Sequence, residues 1–223
     1  MDTLVHIGSS YVVTWSYDFE QAITVLDDQT LEVLDTDISY EPGDAPDGES
    51  MSLHCANNRL VLHTNNELSL YDEHLNKLWT APLEGKRLTF RTVLSTGDVL
   101  LQTSTGEVML LDGKTGATVA TTSTLSDSDE IRRAWVSQDG HHLFAETWGD
   151  LITINLDPEA FDVESYVRCG IALSQDEQQV LVHDNYDTYI LPTYTTDELI
   201  DYAQGLIEGH ELTSEQQRRY HIE

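Results

Sequence analysis

The chain has 223 residues, with 40 Asp+Glu against 11 Lys+Arg and a formal net charge of −29 when its nine His are neutral. Three Lys and eight Arg are too few cations to displace the counterions of a nucleic-acid backbone or to hold an anionic membrane surface, which disfavours both as partners. A hydrophobic content of 39% with four Trp is enough for a packed core, so the acid belongs on a solvated surface rather than in a disordered chain.

Met1 to His6 show no basic start, apolar run or small-residue cleavage site, and no stretch of the chain approaches the roughly 18 apolar residues of a membrane span. Cys55 and Cys169 are too few and too far apart for a disulfide framework or a zinc knuckle and are expected as small buried hydrophobes. The expected setting is cytoplasmic, either a soluble protein or the soluble domain of a larger, membrane-associated one.

From the start to about residue 192, β-branched and aromatic residues alternate between clusters of Gly, Asp, Asn and Ser, which predicts an all-β region. Its first unit runs through Ser9 to Trp15 and Ile23 to Asp27. Residues 41–50 follow as an acidic loop rich in breakers, in which Asp44, Asp47 and Glu49 are candidate contacts for a partner. Those three carboxylates lack the ordered spacing of a calcium loop and are interrupted by Pro46, so a solvated loop is the better reading.

The second unit spans Asn57 to Trp79 and the third, the clearest, Val93 to Ala120. The fourth spans Trp135 to Asp157 and contains the adjacent His141 and His142. Neighbours in a strand point to opposite faces, so that pair cannot chelate one ion by itself. Trp148, in Glu146-Thr147-Trp148-Gly149-Asp150, falls in a predicted hairpin turn, and Trp148 with Asp150 is the second candidate for partner contact. The other tryptophans, Trp15, Trp79 and Trp135, are expected to fill core space. A fifth, looser unit runs from Ser174 to Leu191.

An acidic residue closes the third strand of four units, at Asp27, Asp72, Asp112 and Asp157, in steps of 45, 40 and 45 residues. A period near 40 with about four strands per unit predicts a β-propeller of about five four-stranded blades, the last incomplete, over residues 1–194. A lone four-stranded sheet cannot bury both of its faces, whereas successive blades cover one another.

From Thr195 the pattern becomes helical. Thr195 with Glu198 and Thr213 with Gln216 form capping boxes, and Leu199, Ala203, Leu206 and Ile207 share one face, so residues 195–223 are expected as a helical tail packing on the propeller.

The run Val108-Met109-Leu110-Leu111-Asp112-Gly113-Lys114-Thr115-Gly116 resembles the blades of WD-repeat and quinoprotein-like (PQQ-type) propellers, where strand, Asp, turn and Gly occur in that order. The Trp-Asp dipeptide and Gly-His pair of the WD family are absent at the matching positions, while Trp79 stands where quinoprotein-like blades carry a Trp after the turn. The tail, Asp197 to Ala203 followed by Glu211 to Tyr220, is similar to the segment after the last WD repeat of large bacterial signalling NTPases. That resemblance implies a C-terminal sensing or scaffolding module of a larger protein.

No Walker or dinucleotide-type glycine loop and no Gly-x-Ser-x-Gly elbow is present, so no catalytic residue and no cofactor site is assigned. The expected function is a non-enzymatic protein-interaction or sensing module, binding another protein or another domain of its own polypeptide. The alternative is a propeller hydrolase or lyase with an acidic central pocket. A milder origin for the charge is adaptation to high salt.

Overall fold

In the computed structural model, residues 3–17, 20–34, 38, 51–64, 67–123, 125, 129–183 and 186–193 are described. The chain divides into two units, Met1–Cys169 and Gly170–Glu223. All regular structure among the described residues is β, and every strand pairing is antiparallel.

The first unit contains four sheets, each a meander of strands in chain order. Sheet one is β1 (Thr3–Ile7), β2 (Ser10–Tyr17) and β3 (Glu20–Asp27), with an isolated bridge from Leu26 to Val33 beyond it. Sheet two is β4 (Ser52–Ala56), β5 (Arg59–His63), β6 (Glu67–Tyr71) and β7 (Lys77–Pro82). Sheet three is β8 (Leu88–Val93), β9 (Val99–Thr103), β10 (Val108–Leu111) and β11 (Thr118–Thr122). Sheet four is β12 (Arg133–Val136), β13 (His142–Glu146), β14 (Asp150–Asn155) and β15 (Val163–Arg168). The second unit holds β16 (Gly170–Leu173), β17 (Gln179–His183) and β18 (Thr188–Pro192) in one three-stranded sheet.

Each of the five predicted repeats thus becomes one sheet. The central strands depart from strict alternation, because Leu60-Val61-Leu62, Val99-Leu100-Leu101 and Leu143-Phe144-Ala145 are buried throughout. A strand buried on both faces needs an apolar run rather than alternation. The packing shows where the two faces go. Leu60 and Leu62 join Ile7, Val12 and Val25 in a core between sheets one and two, while Val61 joins Val99 and Leu101 in a core between sheets two and three. Leu100 in turn joins Leu143, Ile152 and Ile154 between sheets three and four. The first strands of successive sheets also touch, β1 with β4 and β4 with β8. Serial face-to-face burial of this kind is how one blade covers the next.

The recurrent Asp after the third strand has a local cause. Asp112 Oδ1 accepts from the N–H groups of Lys114 and Thr115 and from the Thr115 hydroxyl, at 2.7–3.1 Å. Asp27 Oδ1 repeats the arrangement with Gln29 and Thr30, and Asp72 Oδ1 does so with His74 and Asn76. These Asx turns swing the chain out of the third strand and reverse its direction. Hydrogen bonds from Thr115 and Thr30 hold the Asp112 and Asp27 carboxyls below the ordinary carboxylate range. The first turn of the blade has its own device. Ser137-Gln138-Asp139 and Ser174-Gln175-Asp176 form the same loop, with the serine hydroxyl donating to the aspartate and accepting the N–H five residues on.

Successive sheets are also pinned by the Trp79 indole N–H, which donates to the Gly113 carbonyl at 3.2 Å. Trp79 lies against Gly116, whose φ of +72° and 2.7 Å approach of a notional Cβ to the indole both demand glycine. A Cβ at Gly113 would run into the Gly97 carbonyl.

Cys55 and Cys169 are half-buried free thiols, so they are less buried than expected. The acidic loop 41–50 and the tail 195–223 lie outside the described residues. No helix among the described residues is long and apolar enough to cross a membrane.

Candidate interaction surface

The turn joining β13 to β14 is clamped at its base and open at its tip. Thr147 is buried, its N–H donates to the Asp150 carbonyl at 2.9 Å, and its hydroxyl accepts the Asp150 N–H at 3.1 Å. Thr64 and Glu67 make the same clamp at the matching turn of sheet two. Trp148 and Gly149 are left at the tip, and Trp148 is 71% exposed, far beyond any other tryptophan whose burial is described.

Strand register carries three further residues to this corner. Arg133 pairs with Glu146, and the Arg132 N–H donates to the Glu146 carbonyl at 2.7 Å. The Arg132 guanidinium therefore lies over the Trp148 ring, 4.2 Å from its centroid, in cation–π geometry. The indole N–H donates to Glu130 Oε2 at 3.4 Å. Ile131, between the two charged residues, is buried in the core between sheets three and four.

Asp150 turns to structural work. Its Oδ2 accepts from the Tyr166 hydroxyl at 2.8 Å and its Oδ1 from the Cys169 N–H at 3.0 Å, where Cys169 has a φ of +59°. Asp129 Oδ1 lies 3.0 Å from the same tyrosine hydroxyl. Burial, followed by these two carboxylates, holds the Tyr166 proton on to well above the ordinary phenol range. Trp148 and Asp150 therefore share one turn but have different partners, Arg132 and Glu130 for the first, Tyr166 and Cys169 for the second. Asp44, Asp47 and Glu49 lie outside the described residues.

Glu130 and Arg132 carry no signal in the sequence, because only the pairing register brings them beside Trp148, and Tyr166 reaches Asp150 in the same way. Gln102 is a further hidden contributor. It is 2% exposed, its side-chain N–H donates to the Asp129 carbonyl at 2.7 Å, and its side-chain carbonyl accepts the Ile131 N–H at 2.8 Å. This buried amide fixes the segment that presents Glu130 and Arg132. Gln102→Leu keeps the volume but strands one donor and one acceptor, and should cost about 2 kcal/mol in urea unfolding. A loss under about 0.5 kcal/mol would show that water replaces the amide at little cost.

His141 is exposed, while His142 contacts Glu164 at 3.1 Å and Asp139 at 3.7 Å, so the two rings do part as strand geometry requires. Among the described residues, no group of three or more His, Cys, Asp or Glu is arranged to hold a metal ion.

No protein-family model matches the chain, and the comparison with curated proteins finds no relative. Solved structures do match. KlHsv2 with loop 6CD replaced by a Gly-Ser linker is 10% identical with a TM-score of 0.53, over 86% of this chain and 63% of that one. Chaetomium thermophilum Raptor is 12% identical with a TM-score of 0.51, over 80% of this chain and 17% of that one. The chain thus spans less than two thirds of the length of either. Both likenesses concern propeller architecture, and together with the serial sheets they show that the chain has a β-propeller fold.

Proposed function

We propose that the chain is a non-enzymatic interaction or sensing module, a propeller scaffold within a larger bacterial multidomain protein, working in the cytoplasm or on its face of a membrane. The observation that carries this reading is Trp148, 71% exposed at the tip of a clamped turn with Arg132 stacked on it. Exposed aromatic and arginine side chains on rigid turns are what protein interfaces use as anchors. The partner is a protein surface, on another chain or on another domain of the same polypeptide. Glu130, Asp150 and the acidic loop with Asp44, Asp47 and Glu49 suit a partner that bears basic groups.

A photoreactive amino acid placed at position 148 of the full-length protein, in its own cell, tests this. The expected result is a discrete adduct that weakens as salt rises and disappears with Arg132→Glu. An adduct no stronger than that from the same probe at exposed His141 would contradict the reading.

A further inference from the structure

Arg91 is a cation without a counter-charge among the described residues. It lies on β8 in the layer between sheets two and three, paired in register with Leu101. Its Nε is buried without a hydrogen-bond partner, and among the described residues its guanidinium makes no ion pair, in a chain with 40 acidic residues. Ion pairs are formed elsewhere, as between Lys86 and Glu107 at 2.9 Å. A half-buried guanidinium stays charged at any physiological pH, and leaving it unpaired carries a large desolvation penalty.

The sheet-two groups close enough to feel its charge are His54 and His63. Ser52 and His63 are register partners, and their Oγ and Nδ1 are 3.3 Å apart. His54 stands two residues beyond Ser52 on the same face, with Nε2 3.2 Å from Thr92 Oγ1. Burial and then the Arg91 charge lower both histidines, His63 down to about 4, so at neutral pH each ring is uncharged and carries one N–H. Where the Ser52 hydroxyl donates to Nδ1, the proton of His63 is on Nε2 and free to be donated. Val61 and Leu101 supply an apolar surround in which charge-assisted hydrogen bonds are strong.

We propose that Arg91, between sheets two and three, binds a small oxyanion, a phosphate or carboxylate group, with the guanidinium supplying the charge, His54 and His63 the neighbouring N–H donors, and Ser52 holding His63 in the donating tautomer. The guanidinium fork matches either group in bidentate fashion. The inference is independent of the Trp148 surface, because the two sites belong to different sheet interfaces.

The test is calorimetric titration of the full chain with inorganic phosphate, methyl phosphate and acetate, each against sodium chloride at matched ionic strength. One saturable site per chain is expected, with a melting-temperature rise of about 5–10 °C at a hundredfold excess over Kd. Arg91→Met, which removes the charge and keeps the length, should abolish both effects, whereas Lys114→Met at an exposed turn should leave them intact. A response to methyl phosphate equal to that of inorganic phosphate points to an esterified ligand being admissible, and a response to acetate alone assigns the carboxylate. If Arg91→Met fails to fold, movement of the His54 and His63 ring signals with phosphate in the unaltered protein decides the matter. No saturable binding by any of the three anions, or binding that persists in a folded Arg91→Met, would overturn the proposal.

Discussion

Trp79→Ala is expected to destabilise the first unit by about 3–5 kcal/mol in equilibrium unfolding. Trp79 is only 8% exposed and belongs to the core between sheets two and three, against Val99, Leu101 and Leu111. Truncation removes the largest side chain of that core and also strands the Gly113 carbonyl that accepts the indole N–H. The surroundings cannot collapse into the space, because Gly113 and Gly116 are set in a tight turn braced by Asp112 and by Asp98, whose carboxylate accepts the Gly113 N–H at 3.0 Å. Trp79→Phe keeps most of the packing and should cost about half as much. If Trp79→Ala lost less than about 1 kcal/mol, the two sheets would not be packed through this residue.

The second large effect is acid lability well above the carboxylate range. His63 is 7% exposed and its pKa falls from 6.5 to about 4, first through burial and then through Arg91. Its folded-state value is depressed, so the unfolded chain binds the extra proton between pH 6.5 and 4, and stability falls as pH falls through that window. Above about pH 6.5 there is no loss; by pH 4 it reaches about 3 kcal/mol, at about 1.4 kcal/mol per pH unit. His54 shifts in the same direction and adds to the slope. The depressed carboxyls of Asp27 and Asp112 lie below this window and release their contribution only under stronger acid. Urea unfolding from pH 8 to pH 4 should therefore show a decline that His63→Gln makes much shallower. An unchanged slope in that variant would place the acid sensitivity elsewhere.

The repeat is legible in the sequence because its cause is local. An Asp that turns the chain after a third strand must sit at the same point of each blade, so Asp27, Asp72 and Asp112 announce the period directly, and the distance of Trp79 from that turn places it in the core. Trp148 is legible for the same reason, as an aromatic residue at the tip of a short turn. The hidden features depend on register and on the facing of sheets. Arg132 meets Trp148 because Arg133 pairs with Glu146, and the Arg91 charge reaches His63 because two sheets lie face to face. Neither juxtaposition leaves a trace in spacing along the chain.

The charge also takes on a more specific meaning. Asp27, Asp72, Asp112, Asp139 and Asp176 are acceptors for turn N–H groups, so part of the acid builds the blades rather than waiting for a partner. The proposed recognition surface is a different place, a corner where an aromatic ring, a guanidinium and a carboxylate meet.

Hydroxyl-radical footprinting of that corner tests its assignment most directly, because it works whatever the partner is. Trp148 should react fast in the purified chain and become protected several-fold in the full-length protein within its native cell extract, with exposed His141 unchanged in both. Equal reactivity of Trp148 in the two states would contradict a partner at this surface.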